Sequence, residues 1–311
     1  MAYGRTRSRR APRRSTRRSP RYGRTKRTKR ISRPRRSTRR TPTMSRKRIL
    51  NLTATKKRDT MVPGNTFPAL PENVGALTVT SDSPALVLWN ATARSLSDTP
   101  TAAFTMPVNA QRLSSTPFIV GLKETITIRT DTSNAWRWRR VVFTLKGLPP
   151  GFTDTSDILR TFSQIDDGLG TVEYQRVNTA LPFPLVADVY NFMFRGFGVN
   201  NLSVPARDWI DPITAPLDTS RISVMHDKVT PITSGNDAGV ARTYRRWHPV
   251  RKNLHYGDQE IGGRISSSPF STTAKPGCGD VYVMDLIVGN SADTGDVLDF
   301  LPTSTLYWHE K

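Results

Sequence analysis

The chain of 311 residues contains one cysteine, Cys278. A lone thiol can form no internal disulfide and no cysteine-built zinc site, so packing alone has to hold the fold. Apolar runs are short. None reaches signal-peptide length or the eighteen or so residues of a membrane span, and no membrane partner is expected. Walker A and GxGxxG patterns are missing, as is a nucleophile elbow, and the four histidines (His226, His248, His255, His309) lack paired-ligand spacing. Asp293-Thr294-Gly295 reproduces the aspartic-protease triplet, but polar Gly289-Asn290-Ser291 before it and Asp296 after it read as a turn. With Asp299 these acids could ligate calcium, yet their spacing is not that of an EF-hand loop. These absences predict a protein that is no enzyme and has no cofactor and no metal.

Acid is lacking most sharply at the start. The first 58 residues hold 25 Lys and Arg and no Asp or Glu; the first acid is Asp59. The whole chain has 47 basic and 25 acidic residues, so the remaining 22 basic residues stand against all 25 acids, a net of −3. A polycation is joined to a nearly neutral body.

The cations of the leader are Arg5, Arg7, Arg9, Arg10, Arg13, Arg14, Arg17, Arg18, Arg21, Arg24, Lys26, Arg27, Lys29, Arg30, Arg33, Arg35, Arg36, Arg39 and Arg40, followed by Arg46-Lys47-Arg48 and Lys56-Lys57-Arg58. Twenty of the 25 are arginine, whose guanidinium is always charged and binds phosphate bidentately. Like charges repel and almost nothing apolar is there to bury, so residues 1–58 are expected as a disordered nucleic-acid-binding arm. Tyr3 and Tyr22 could stack on unpaired bases. If every charge met a single strand, affinity would fall with salt at a slope of roughly −17, which is 0.7 per cation. The last two basic clusters, seven residues apart, have the form of a bipartite nuclear-import signal and imply import receptors as partners; the plainer reading of such runs is a solvated tail. Ser-Arg and Ser-Pro dipeptides invite phosphorylation, which would lower the arm's charge.

Residues 59–73, with Pro63-Gly64, Pro68 and Pro71, read as a linker, and 74–311 as the folded body. Strand-like runs lie at 85–89, 125–129, 136–146, 171–177, 185–194, 221–226, 240–247, 281–288 and 303–308. Thr125-Ile126-Thr127-Ile128-Arg129 alternates most clearly. Asp154 could cap one short helix carrying Ile158, Leu159, Phe162 and Ile165. No βα alternation is visible. The pattern predicts an all-β sandwich or jelly roll with long loops and at most one or two short helices.

In Trp136-Arg137-Trp138-Arg139-Arg140-Val141-Val142-Phe143, Trp136, Trp138 and Val142 share the core face, Arg137 and Arg139 share the other, and Arg140 breaks the phase. A buried or interface salt bridge and nucleic-acid contact are both open for Arg139 and Arg140; Arg137 is a further candidate for interface or nucleic-acid contact, and the same ambiguity holds for Arg245 and Arg246 in Arg245-Arg246-Trp247-His248.

The Trp136–Phe143 run, shortly after Glu124-Thr125-Ile126-Thr127-Ile128, resembles a block in the coat proteins of genomoviruses, the gemycircularvirus group. Asn253-Leu254-His255-Tyr256-Gly257-Asp258-Gln259-Glu260 with Gly262-Gly263, and Val281-Tyr282-Val283-Met284-Asp285-Leu286, are similar to further parts of that pattern. Geminivirus coat proteins are more distant; the zinc-finger-like Cys/His group they often carry cannot be built from one cysteine. The resemblance implies an eight-stranded jelly roll that assembles with itself into a small T=1 icosahedral shell of sixty copies around a circular single-stranded DNA genome, in the virion and, during assembly, the host nucleus. Two other readings compete: a non-viral basic-tailed RNA-binding protein of ribosomal or Ser/Arg-rich type, and, last, a polybasic protein on anionic lipid.

Overall fold

The computed structural model describes residues 44–65, 74–96, 110–152, 161–166, 172–198 and 207–311. Its strands are β1 (Thr55–Met61), β2 (Pro63–Gly64), β3 (Leu77–Thr80), β4 (Ala85–Asn90), β5 (Phe118–Thr130), β6 (Trp136–Leu145), β7 (Ser163–Asp166), β8 (Val172–Val177), β9 (Ser223–Ile232), β10 (Ala241–Asn253), β11 (Gln259–Ile261), β12 (Arg264–Ser266), β13 (Asp280–Gly289) and β14 (Val297–Glu310). Two helices, α1 (Arg46–Thr53) and α2 (Phe183–Met193), complete the described elements.

Pairing is nested. The first strand position pairs the last (β3 with β14), then β4 with β13, β5 with β10 and β6 with β9, all antiparallel. Cross pairs β5–β14 and β6–β13 knit these hairpins into two sheets, ordered β1-β14-β5-β10 and β4-β13-β6-β9. Strand β3 continues the edge of β14 beyond β1. A long hairpin folded over in this way is the eight-stranded jelly roll. The expected fold class is therefore the fold observed.

The two sheets bury their faces differently, and the sequence shows it. In β14 the residues alternate half-buried and buried through all fourteen positions. In β4 and through most of β13, every residue is buried. The reason is α2. Its Leu185, Val189, Tyr190 and Met193 pack on Leu86, Leu88, Val141, Phe143, Tyr282, Met284 and Leu286, covering the outside of the four-stranded sheet. Strands covered on both faces lose their polar alternation.

Between the sheets the core is divided in two. One cluster gathers Trp89, Leu122, Val142, Val283, Leu306 and Trp308; the other gathers Ile126, Ile128, Trp136, Trp138, Leu298 and Phe300.

Several boundaries differ from the sequence expectation. Residues 185–194, expected as a strand, form α2: Pro182 and Pro184 open the helix, and Leu185, Val189 and Met193 then recur every four residues. Of the helix expected at 154–165, residues 153–160 lie outside the described part, whereas Ser163–Asp166 form β7 against β8. The arm was expected to reach residue 58 and the linker to run from 59 to 73. Instead α1 begins at Arg46, and β1 pairs with β14 from Thr55↔Glu310 to Met61↔Ser304, so the basic cluster at 56–58 belongs to the body. β2 occupies part of the linker, and 66–73 lie outside the described residues.

Candidate nucleic-acid interface

Cations of the body fall into two populations, inward and outward. Arg140 shares the inward face of β6 with Trp136 and Trp138, and is 2% exposed. Its Nε and Nη2 donate to the two oxygens of Asp285 on β13 at 2.8 and 2.7 Å, and Nη1 donates to Glu124 Oε2 on β5 at 2.6 Å. Arg176 on β8 joins the same acids: Nη2 lies 2.9 Å from Asp285 Oδ2 and Nε 3.4 Å from Glu124 Oε1. Trp138 Nε1 donates to Asp285 and Ser304 Oγ to Glu124, at 2.8 and 3.0 Å, while His248 Nε2 stands 3.4 Å from Glu124. Two guanidiniums meet two carboxylates, and this neutral layer separates the two apolar clusters. Burial alone would push the Glu124 carboxyl up, but Arg140, His248 and Arg176 together hold it well below the usual range. Burial lowers the Arg176 guanidinium, and the adjacent Arg140 adds to that.

Five further cations of the body are ion-paired as well. Arg139 grips both Asp227 oxygens at 3.0 and 2.8 Å and donates to the carbonyls of Pro212 and Ala215. Arg94 meets Asp59 at 2.6 Å, with Tyr174 and Trp308 rings beside its guanidinium. Arg112 binds Asp258 bidentately while lying 3.8 Å over the Tyr256 ring. Lys57 is buried against Glu310 at 2.7 Å and donates to the Gln111 carbonyl. Arg137, half exposed, pairs with Asp211 at 2.5 Å. Arg137, Arg139 and Arg140 are each held in an ion pair within the chain.

The outward population lies on the uncovered face of the β1-β14-β5-β10 sheet. Residues directly opposite across antiparallel strands share a face. One row therefore reads Thr60, Thr305, Lys123, Trp247; on one side of it stand Thr303, Thr125 and Arg245, and on the other Arg58 and Tyr307, then Lys56, His309 and Phe118. Lys56, Arg58, Lys123 and Arg245 are exposed. Among the described residues, none of these four has an acidic partner within ion-pair distance. Arg246 points the other way along β10, half-buried, its guanidinium 5.7 Å from the Tyr244 ring.

Trp247 crowns this face. It is 46% exposed, while the other five tryptophans (Trp89, Trp136, Trp138, Trp209 and Trp308) are all buried. Its ring lies over Gly121, where an added Cβ would come 2.7 Å from Trp247 Cζ2, and it meets Tyr307 edge-on at 5.8 Å.

The nineteen predicted leader cations, Arg5 to Arg40, lie outside the described residues. Arg46 and Arg48 are exposed on α1, which also contains Lys47, and Lys56 and Arg58 are exposed on β1. The sequence reading missed Lys123, Tyr307 and the acids of the buried layer. Glu124 carried a signal: it shares parity with Ile126 and Ile128, and an acid on an apolar face demands a buried partner. Among the described residues no group of three or more His, Cys, Asp or Glu could hold a metal ion, and no helix is long and apolar enough to cross a membrane.

No family model and no curated protein matches the chain. Among solved structures it is similar to VP1 of Trichodysplasia spinulosa-associated polyomavirus in complex with 3'-sialyllactose, at 9% identity over 82% of this chain and 76% of that one, with a TM-score of 0.12. The same VP1 in complex with sialylated precision glycooligomers matches at the same identity, coverage and TM-score. So low a TM-score decides neither fold nor function, and the jelly-roll assignment rests on the strand pairing above.

Proposed function

We propose that the chain is a viral coat protein, non-enzymatic, whose jelly roll assembles into a small shell and whose leader condenses the nucleic acid within. The observation that carries this reading is the union of a nested eight-stranded jelly roll with an acid-free polycation. Jelly rolls also serve as lectins and cupins, so the fold alone leaves the function open. A leader of this charge is suited above all to neutralising a polyanion. Residues 1–48 carry 22 cations. In a closed shell of sixty copies they supply about 1,300 positive charges, matching a large share of a single strand of one to two thousand nucleotides.

Genomovirus-type identity, single-stranded DNA as the genome and assembly in the nucleus follow from the sequence resemblance. Import would rest on Arg46-Lys47-Arg48 and the leader. Lys57, ion-paired inside the body, is not presented to a receptor by the folded chain, which removes the centre of the second cluster.

Negative-stain microscopy and nuclease protection of purified full-length protein test the proposal. Discrete closed particles holding nuclease-resistant nucleic acid are expected. A species that stays monomeric or dimeric while binding RNA would replace it with the basic-tailed RNA-binding reading.

A further inference from the structure

The exposed sheet face sets cations around an aromatic ring held by the fold. The leader neutralises phosphate, with Tyr3 and Tyr22 the two aromatic side chains among its cations. The face of β1-β14-β5-β10 combines four unpaired cations with a fixed aromatic platform. We propose that this face binds unpaired single-stranded nucleic acid, with Trp247 stacking on a base and Lys56, Arg58, Lys123 and Arg245 meeting the flanking phosphates. This deepens the coat-protein reading and rests on it for the source of the strand.

Three observations point to that ligand rather than to another. First, the charge is uncompensated in a body that pairs its inward cations carefully, so a polyanion is the complementary occupant. Second, the Trp247 ring is pre-set. The benzo end of the ring lies close over Gly121, which has no side chain to displace it, Tyr307 packs against it at 5.8 Å between centroids, and 46% of the residue stays exposed. An aromatic held open in this way accepts any base, since every base has a π-face. Third, the spacing suits a strand laid across the sheet. Lys123 stands beside Trp247 in one row, Arg245 one row along, and rows are about 7 Å apart, two residues along a strand. In a duplex the bases are already stacked on one another and could not reach the ring.

The test uses full-length protein and a roughly twenty-nucleotide oligo(dT), some of it substituted with a photo-crosslinking deoxyuridine. Two readouts are local to the face: the Trp247 emission, isolated as the difference between wild type and Trp247→Phe, and the residues that cross-link. Saturating oligo(dT) should quench the Trp247 component by about half or more, and cross-links should map to Trp247 and Tyr307. Inorganic polyphosphate, which has charge without bases, should leave the emission unchanged, as should a duplex of equal length. Lys123→Ala with Arg245→Ala should lower cross-linking at Trp247 several-fold.

Cross-links confined to residues 1–43 with Trp247 emission unmoved would overturn the inference, and particles still packaging a strand would leave the coat-protein reading intact. Quenching in a protein that never forms particles would support the face and remove the coat-protein reading. If the duplex quenches as well as oligo(dT), the selectivity for single strands is wrong. If Trp247 is shielded from a soluble quencher in particles free of nucleic acid, the face is a contact between copies and the inference falls.

Discussion

Arg140 shows what a single buried charge commits a fold to. Its guanidinium ties β6 to β13 through Asp285 and to the opposite sheet through Glu124. Removing one partner of such a layer strands the rest in a medium that solvates charge poorly. Arg140→Leu should therefore cost about 3–5 kcal/mol of unfolding free energy, read from urea midpoints. The pH dependence carries the sign. Because the folded Glu124 is held below its unfolded value, its contribution is present above the usual carboxylate range and is lost as pH falls through the folded value. The variant should lose much of that acid-limb dependence; a variant as stable as wild type, with the same limb, would show that the layer is energetically idle. In sequence Arg140 stood as a break in the alternation of its run, with its role open. Its partners were not legible, because Glu124, Arg176 and Asp285 are brought together only by the closing of two sheets.

At the level of elements, β1 is the piece that reassigns the chain. Seven residues that look like the tail of a basic arm pair with β14 along their whole length. Nothing local marks this strand: Thr55-Lys56-Lys57-Arg58-Asp59-Thr60-Met61 has one strong apolar residue. What makes it a strand is the unpaired edge of β14 and the buried Glu310 awaiting Lys57. Two truncations should then behave differently. Removal of 1–45 should leave a folded, soluble body with wild-type circular dichroism. Removal of 1–61 should bare the β14 edge and leave Glu310 without its ammonium, giving aggregation on size-exclusion chromatography. Equal behaviour of the two would mean that β1 is dispensable. The alternation of β5 and β14 was readable because one of their faces is open to solvent. The helix α2 was misread because an apolar run of that length fits a buried strand as well as a helix, and only its packing over the four-stranded sheet decides between them.

Over the whole molecule, charge is sorted three ways: a leader with no acid, an interior in which arginine and acid cancel, and one sheet face left positive. With the six cations between Arg46 and Arg58 counted in it, the body sums to 28 − 25 = +3, a small total that hides how unevenly the charge is placed. Salt should separate the leader from the face. Affinity of the full chain for oligo(dT) should fall steeply with log salt, and deletion of 1–45, which removes nineteen cations, should flatten the slope by up to about 13, at 0.7 per cation. A slope unchanged by that deletion, measured by fluorescence anisotropy, would mean that the leader does not engage phosphate.

The sequence by itself determined the polycation, because charge density is a property of composition, and it determined the β class, because period-two patterning survives wherever a sheet has one wet face. Only the tertiary structure decided which arginines are free. Whether a cation is neutralised depends on acids tens to hundreds of positions away, as with Arg140 and Asp285, and on which sheet face a helix happens to cover.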